Sequence, residues 1–434
     1  MVAAAVVAGA AVAAAEPIRV VTNPHEVPDD IQMGTLANGL RVVTERLPGA
    51  RSVALGAWVG VGARDEDEAA SGTSHYLEHL LFKGSDRRSA RAIAQTVDAM
   101  GGEMNAYTSK EHTAYHLRVP ATGVPVAVEL LSDVLTSPAL RPDDVTAERQ
   151  VILEELLLSE DDAEDRVSTL CDELLFPGHP LGREVLGTPD TIEATGRDAI
   201  ATFFDHWYQP ANLVVAAAGD LDHGEVHRLV EAGFESRSGG VQPLRSEPPI
   251  KTGLAETVAK PTEQAHLAFG WRTCSLHDPA RYPLAVLNHV LGGGLSSRLF
   301  HEIREVRGLA YSVGSYTSLY SDAGALVAAV GTSPSHLDEV RDLIEAEVAN
   351  LVADGITDRE LAVATGSLSG SLVLGLEDPA SRMSRLGHGL ISRDHVTPVD
   401  EHLARIAAVT QDDVAAVIAD VLGSDPCVAL VGPY

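Results

Sequence analysis

The fold is decided by the stretch Glu103-Met-Asn-Ala-Tyr-Thr-Ser-Lys-Glu-His-Thr-Ala-Tyr-His-Leu-Arg-Val119, because its centre recurs later in the chain. Tyr107-Thr108-Ser109 returns 209 residues on as Tyr316-Thr317-Ser318. Both triplets lie in extended stretches, and each stretch leads into a helical apolar run, at Val124–Leu135 and at His336–Leu351. This shared order predicts an internal duplication.

Matching elements extend the duplication in both directions. A buried strand precedes each triplet, at Ser52–Val61 and at Gln264–Trp271, and an apolar strand closes each half, ending at Gly219 and at Gly432. We therefore predict an α+β (α/β) fold of two tandem homologous domains. Each domain is expected to be a mixed, mostly antiparallel sheet packed with helices.

The boundary between the halves is expected at residues 236–249, which are rich in Gly, Pro and Ser and show no hydrophobic period. This linker divides the chain into an N-terminal domain, residues 17–235, and a C-terminal domain, residues 250–434. A length of 434 residues is too great for one ordinary core, which agrees with the division.

Residues 1–16 form a leader that is nearly all Ala and Val. It has the length of a signal peptide but lacks the Lys/Arg-bearing start of one. A disordered leader or an extended start is favoured, and a signal is left open. No later stretch has 18 uninterrupted apolar residues, so no membrane span is predicted. Cys171, Cys274 and Cys427 are widely spaced and are expected to be free thiols in a reducing compartment, so we expect a cytoplasmic protein with export left open.

The charge balance limits the partners. The chain has 32 Lys and Arg against 62 Asp and Glu, a formal net charge of −30. Nucleic acid and anionic lipid require basic surfaces, so neither is expected as a partner. The acidic surface favours neutral or basic ligands.

A metal-ligand motif lies in the helical stretch Ser74–Phe82. His75 and His79 are four residues apart, so their imidazoles share one helical face and can meet one zinc ion. Glu78 emerges beside them, where it can reach a water on the metal without being a ligand. This His-x-x-Glu-His order is that of the inverzincins.

A catalytic zinc needs a third protein ligand, and the acidic stretch Ala147–Leu156 supplies candidates. Glu148 and Glu155 are seven residues apart, two helical turns, and therefore share a face. Glu154 points roughly 100° away from it. We predict Glu155 as the ligand and Glu148 as a residue that supports the site. A hydrogen-bonded polar cluster of the same buried residues is the alternative.

Three motifs together resemble the insulinase/pitrilysin family of metallopeptidases: Ser74-His-Tyr-Leu-Glu-His-Leu-Leu-Phe-Lys-Gly84, Asn105-Ala-Tyr-Thr108 and Val151-Ile-Leu-Glu-Glu155. The likeness is to short bacterial members that are similar to mitochondrial processing peptidase subunits, and it runs from about Leu36 to Gly432. It implies one zinc per chain, held by His75, His79 and Glu155, with Glu78 as the base and Glu148 in support.

The resemblance also implies roles in binding the peptide. Asn105 and Ala106 match the edge strand to which a peptide substrate adds as an extra strand. Arg304 and Tyr311 match a pair that grips the substrate near the scissile bond. The run Gly292-Gly293-Gly294 resembles a mobile substrate-contacting loop. Short members commonly pair as dimers that enclose a chamber.

Ordinary structural roles stay open for these residues. Asn105 can be a turn or cap residue, Arg304 a cation at a helix end and Tyr311 a core aromatic. The glycine run can be a helix C-cap. The 209-residue shift places Leu284, Leu287 and Asn288 opposite His75, Glu78 and His79, so no zinc site is expected in the second half.

These features predict a zinc metalloendopeptidase that cleaves extended or unfolded peptides inside a chamber closed by the two domains, and a homodimer is expected. A non-catalytic assembly or substrate-holding subunit of the same fold is the first alternative. A metal-binding protein without hydrolysis is the second, although such a protein would not need Glu78.

Overall fold

The computed structural model describes residues 30–434, so the predicted leader and the start of the N-terminal domain lie outside the described residues. Eleven strands in that part of the chain form two sheets. The strands of the first sheet are β1 (Ile31–Thr35), β2 (Arg41–Arg46), β3 (Ser52–Val59), β4 (Glu103–Thr108), β5 (Thr113–Pro120) and β6 (Leu213–Gly219). Those of the second are β7 (Ala255–Ala259), β8 (Ala265–Thr273), β9 (Ala310–Leu319), β10 (Gly324–Thr332) and β11 (Cys427–Gly432).

The two sheets have the same topology. The first has the order β1-β2-β6-β3-β5-β4 and the second the order β7-β11-β8-β10-β9, so β1 is an addition to a shared five-stranded plan. Each sheet has one parallel pair, β2 with β6 and β7 with β11, and its other pairs are antiparallel. The predicted mixed, mostly antiparallel α+β fold with an internal duplication is confirmed.

Fourteen α-helices accompany the strands within the described residues. In the first half they are α1 (Thr73–Leu81), α2 (Ala90–Met100), α3 (Val124–Thr136), α4 (Pro142–Asp161), α5 (Ala163–Leu175), α6 (Pro189–Ala194), α7 (Arg197–Trp207) and α8 (His223–Gly233). In the second they are α9 (Arg281–Asn288), α10 (Leu337–Asp354), α11 (Asp358–Gly375), α12 (Pro379–Arg393), α13 (Val399–Ala407) and α14 (Gln411–Val421).

Two helical segments of the second half are wider than an α-helix. Residues Phe300–Val306 form a π-helical turn. A second π-helical turn, His289–Gly293, directly continues α9. Hydrophobic periodicity predicts a helix here but cannot distinguish wide turns from ordinary ones, because both place apolar residues on one face.

The halves exchange one helix each. On one face, each sheet packs against helices of its own half. On its other face, the first sheet packs against α12, where Met383, Leu386 and Leu390 meet Trp58 and its neighbours. The second sheet packs against α5 through an apolar cluster that includes Leu170 and Leu174. Each sheet therefore completes its core only with a helix from the other half.

Buried ion pairs reinforce this exchange. Glu45 of β2 is paired with Arg382 and, at 3.3 Å, with Arg385, both on α12. Arg64, whose side chain is almost fully buried, bonds Asp322 of the second half at 2.5 Å and Glu111 at 2.6 Å. A buried charge left without its partner is costly, so these pairs penalise separation of the halves.

Residues 236–249 contain no helix or strand, in keeping with the irregular linker that was predicted. The division into domains at this linker stays a prediction, because α5 and α12 each pack on the sheet across it. In residues 30–434, no helix combines the length and apolar character that a bilayer crossing requires.

Candidate metal centre and catalytic site

The helix that carries the predicted motif is held at its start by a buried carboxylate. Glu66 accepts hydrogen bonds from the N–H groups of Gly72 (2.7 Å) and Ser74 (2.5 Å), which open α1. Gly72 adopts a φ of 92°, where L side chains are rare, and a Cβ there would lie 2.6 Å from the carbonyl of Leu186. Burial raises the pKa of Glu66 to about 7, against the effect of these hydrogen bonds.

Helix α1 turns its apolar residues to the core and its histidines to α4. Tyr76, Leu77, Leu80 and Leu81 are fully buried. His75 and His79 lie on another face, with ring centroids 4.6 Å apart. Their Nε2 atoms lie 3.7 and 3.6 Å from Oε2 of Glu155 on α4. The structure thus brings together the three predicted ligands.

The three donors fit a zinc ion. Ligand atoms at about 2.0–2.1 Å from a tetrahedral zinc are roughly 3.4 Å from one another. The two histidine-to-Glu155 separations, 3.6 and 3.7 Å, are close to that value. All three donor atoms lie within 4.8 Å of one another, and two imidazoles with a carboxylate are a donor set that zinc accepts.

Helix α4 presents its residues as the heptad spacing predicts. Glu148 and Ile152 are buried and Glu155 is half-buried on the face toward α1, whereas Glu154 is exposed. Glu148 accepts from Nδ1 of His79 at 3.1 Å and is paired with Lys83 at 2.6 Å. A carboxylate on the remote ring nitrogen fixes the orientation of a ligating histidine.

Glu78 lies in the same site but is held by a hydroxyl. Its Oε2 accepts a hydrogen bond of 2.6 Å from Oγ1 of Thr108, at the end of β4. Burial raises the pKa of Glu78, and the hydrogen bond from Thr108 and the charge of His79 oppose that shift. A carboxylate with a raised pKa near a metal is well suited to take and return a proton.

The two histidines differ in their surroundings. Burial and the neighbouring His79 lower the pKa of His75 to about 4, so its imidazole is neutral at pH 7, as a metal ligand must be. The Nδ1 of His75 is buried and has no partner among residues 30–434. Only His79 therefore has the carboxylate support that ligating histidines usually have.

Asn105 and Ala106 lie on β4, which is the edge strand of the first sheet in the described chain. Asn105 faces solvent, and its Oδ1 accepts from the N–H of Ala106 at 2.9 Å. Thr108, on the same strand, contacts Glu78. An unpaired sheet edge therefore leads directly to the proposed base, as strand addition by a peptide would require.

Arg304 and Tyr311 form a pair within the second half, at the start of β9. Arg304 donates to the backbone carbonyl of Tyr311 at 3.2 Å, and its guanidinium lies 4.7 Å from the Tyr311 ring. The Tyr311 side chain is 80% exposed, so it is not a core aromatic. In the described residues, neither side chain hydrogen-bonds to or forms an ion pair with the first half.

The glycine run belongs to a packed turn at the end of α9. Gly292 and Gly293 lie in the π-helical turn, and Gly294 is extended. A Cβ on Gly292 would lie 2.6 Å from the backbone nitrogen of Ser315, so glycine lets the turn approach β9 closely. This local role needs glycine at position 292, and substrate contact by the run stays a prediction.

Comparison with known proteins identifies the family. The model described as "Insulinase (Peptidase family M16)" matches residues 41–189, and "Peptidase M16 inactive domain" matches residues 195–368. The chain is 46% identical over 412 residues to an uncharacterised zinc protease of Streptomyces coelicolor, covering 93% of this chain and 90% of that protein. The chain belongs to peptidase family M16.

Further M16 relatives are similar along nearly their whole length. An uncharacterised zinc protease of Mycobacterium tuberculosis is 43% identical, with 92% of each chain covered. The zinc protease YmxG of Bacillus subtilis is 37% identical, covering 93% of this chain and 98% of its own. A protease structure from Helicobacter pylori has a TM-score of 0.88 at 23% identity, with 93% of this chain and 99% of that one covered, which supports the fold.

Sequence reasoning missed three residues that hold the site together. Thr108 and Lys83 lie inside the quoted motifs, so the signal was present, but nothing local assigns them to Glu78 and Glu148. Glu66 lies eight residues before Ser74 and has no local signal, because its bonds depend on how the intervening chain turns.

Proposed function

We propose that this M16 chain is a zinc-dependent endopeptidase of the inverzincin type that hydrolyses extended or unfolded peptides. One zinc per chain would be held by His75, His79 and Glu155. The observation that carries the proposal is the convergence of these three donors with Glu78, which is held by Thr108 rather than by the ligands. A site that only stored metal would not need this additional carboxylate.

Zinc, when bound, polarises the scissile carbonyl and makes water more acidic. Glu78 takes the proton from the attacking water and delivers it to the leaving amine. The hydrogen bond from Thr108 occupies one carboxylate oxygen and leaves the other for this transfer. Glu148 and Lys83 hold His79 in orientation.

The peptide would add to β4 as a further strand, with Asn105 and Ala106 beside its backbone. Main-chain pairing gives affinity that tolerates many sequences. Basic side chains are favoured by a cavity of about 780 Å³ beside the start of α1. Six acidic residues line that cavity: Glu66, Asp67, Glu68, Glu173, Glu184 and Asp190.

A chamber requires a wall opposite β4. From the sequence, the two domains of one chain are expected to close it, but the exchanged helices α5 and α12 tie the halves together. Arg304 and Tyr311 are half-exposed and exposed, and the contacts of Arg304 are local, to Tyr311, Phe300 and Glu305. We therefore infer a homodimer in which the second half of one copy, with its glycine run, covers the metal centre of the other.

The free thiols support a proposal about cellular location. Cys171, Cys274 and Cys427 are all free, and Cys171 and Cys427 are buried. Free thiols suit a reducing compartment, so we propose that the enzyme acts in the cytoplasm.

A non-catalytic, substrate-holding subunit is the competing function. One matching family model carries "inactive domain" in its description, and its match, residues 195–368, does not include the metal motif. Retention of both histidines, Glu155 and Glu78 in the first half favours the enzyme.

The test is cleavage of a quenched, unfolded basic peptide by the purified full chain. Chelator should abolish cleavage, and added zinc should restore it. Bound zinc without cleavage, at concentrations where the chain is dimeric, would support the non-catalytic subunit. A chain that binds no zinc would refute the assignment of His75, His79 and Glu155.

A further inference from the structure

The duplication allows each half to be used as a template for the other. Gly219 and Gly432 close β6 and β11 and are 213 residues apart. The same shift carries Ser132 of α3 onto Glu345 of α10, and Thr136 onto Ala349. Helices α3 and α10 follow equivalent strands, β5 and β10, so the surface of α10 can be compared directly with that of α3.

In the first half, α8 and the residues after it cover α3. Gly233 lies so close to Ser132 that a Cβ would be 2.2 Å from its Oγ. Phe234 follows and is only 1% exposed. Arg237 donates to the carbonyl of Thr136 at 3.1 Å and lies over the Phe204 ring of α7. A helix with an aromatic residue after its end thus bridges α3 and α7.

In the second half, no helix of the described chain takes that place. An apolar cavity of about 420 Å³ lies there instead, between α10, the end of α14 and the sheet. Glu345 and Ala349, the counterparts of Ser132 and Thr136, line it and are exposed. We call this cavity the α10 cleft; its apolar lining includes Phe269, Trp271, Val348, Val352, Leu422 and Val428.

The α10 cleft also contains an unused hydrogen-bond donor. Trp271 is 2% exposed, and its indole N–H has no acceptor among residues 30–434. A buried donor without a partner is unfavourable, so an acceptor from an occupant would be stabilising. The carbonyl groups at a helix end are such acceptors, because they lack partners within the helix.

The charged residues around the α10 cleft indicate which polar residues an occupant would carry. Glu345 lines the α10 cleft. The exposed acids Asp342, one helical turn before Glu345, and Asp425, next to the lining residue Pro426, flank it, against one cation, Arg341, on the same turn of α10 as Asp342. No Lys or Arg is among the lining residues. An occupant with Lys or Arg around its apolar face would complement this rim.

We propose that the α10 cleft binds an amphipathic, basic helix of a partner protein, whose apolar anchor takes the position that Phe234 has in the first half. Such helix-in-groove recognition uses apolar anchors at helical spacing. The site lies on the helical side of the second sheet and uses none of the residues assigned to peptide hydrolysis. It therefore does not depend on the proposed activity.

The probe is a labelled peptide with the sequence of residues 220–237, which contains α8 and Phe234, and a second version with Glu225→Lys and Glu231→Lys. Fluorescence anisotropy with the full-length protein should give saturable binding at about 100 µM or below. The basic peptide should bind at least about five-fold more tightly at low salt, and the difference should shrink as salt is added.

Two protein variants test the location. Ala349→Arg places a large side chain in the α10 cleft from an exposed position. It should weaken binding at least about ten-fold, because the arginine occupies the volume that the apolar anchor needs. Val363→Arg places the same cation on the exposed face of α11 and should leave binding unchanged.

Glu345→Lys should remove the preference for the basic peptide. The proposal is overturned if neither peptide binds or if Ala349→Arg binds as the wild type does. It is also overturned if Ala349→Arg dissolves a dimer in sedimentation, because the occupant is then a second copy of this chain.

Discussion

The helices α1 and α9 occupy equivalent places in the two halves but differ where chemistry is expected. His75, Glu78 and His79 of α1 correspond to Leu284, Leu287 and Asn288 of α9. Leu284 and Leu287 are fully buried, and Asn288 accepts a hydrogen bond from Ser315 of β9 at 2.7 Å. Where the first half holds three ionisable groups, the second half has two buried leucines and a hydrogen-bonded asparagine.

The helices α4 and α11 repeat this contrast. Glu148 and Glu155 are the seventh and fourteenth residues of α4, and the same positions of α11 are Ala364 and Ser371. Ala364 is fully buried. The fold therefore does not need charge at these positions, and burying carboxylates without a functional reason would be unfavourable.

The largest effect should come from removing the proposed base, which has no counterpart on α9. Glu78→Gln should lower peptide hydrolysis by about 10²–10⁴-fold, because the proton transfer is lost. Zinc content, measured by elemental analysis, should stay at the wild-type level, since Glu78 is not a ligand. Glu154→Gln, which changes an exposed acid of α4 outside the acidic cavity, is the control.

Full activity in Glu78→Gln would contradict the assigned role. Loss of zinc together with activity would mean that Glu78 supports the metal rather than the proton transfer.

The exchanged helices should make the halves unfold together. Met383→Ala in α12 and Leu170→Ala in α5 each empty a buried site against the opposite sheet and should cost about 2–5 kcal/mol of unfolding free energy. Urea unfolding monitored by far-UV circular dichroism and by tryptophan fluorescence should give coincident single transitions. Two separate transitions would show that the halves are independent despite the exchange.

A smaller effect, on zinc affinity, is expected from Glu148 of α4, whose counterpart on α11 is Ala364. Glu148→Gln leaves His79 with a weaker acceptor on Nδ1 and should reduce zinc affinity about 10–100-fold. Competition with a chromogenic chelator measures this loss. Glu154→Gln, on the exposed face of the same helix, should bind zinc as the wild type does; an equal loss there would point to bulk charge as the cause.

The smallest effect concerns the contact between the β4–β5 turn and α12, where the His112 and His388 rings are 5.1 Å apart. Burial, with the nearby His388 and Arg245, lowers the pKa of His112 to about 3. Below pH 6.5 the unfolded chain therefore binds a proton that the native imidazole does not. The unfolding free energy should fall by roughly 1.4 kcal/mol per pH unit from this group as the pH decreases.

Urea unfolding of the wild type and His112→Asn at pH 7.5 and 5.5 measures this contribution. The difference in unfolding free energy between the wild type and His112→Asn should be smaller by about 1.4 kcal/mol at pH 5.5 than at pH 7.5. Replacing the exposed His395 by Asn serves as the control. If the difference in unfolding free energy is the same at both pH values, the imidazole of His112 has the same pKa in the native and unfolded states.

Much of the fold could be predicted because it is encoded in local patterns. The strands around Tyr107 and Tyr316, the helix around Val124–Leu135 and the irregular linker all follow from hydrophobic periodicity and turn composition. The wide turns His289–Gly293 and Phe300–Val306 did not follow, because periodicity is nearly the same for α- and π-helical turns.

The sequence by itself determined the duplication and two shared helical faces, that of His75 with His79 and that of Glu148 with Glu155, since i,i+4 and heptad spacing fix which side chains share a face. Only the tertiary structure decided that these two faces meet, and it also decided the cap by Glu66, the bond from Thr108 to Glu78, the exchange of α5 and α12, and the exposed α10 cleft. Each depends on contacts between residues far apart in the chain. Local periodicity carries no information about which distant surfaces meet.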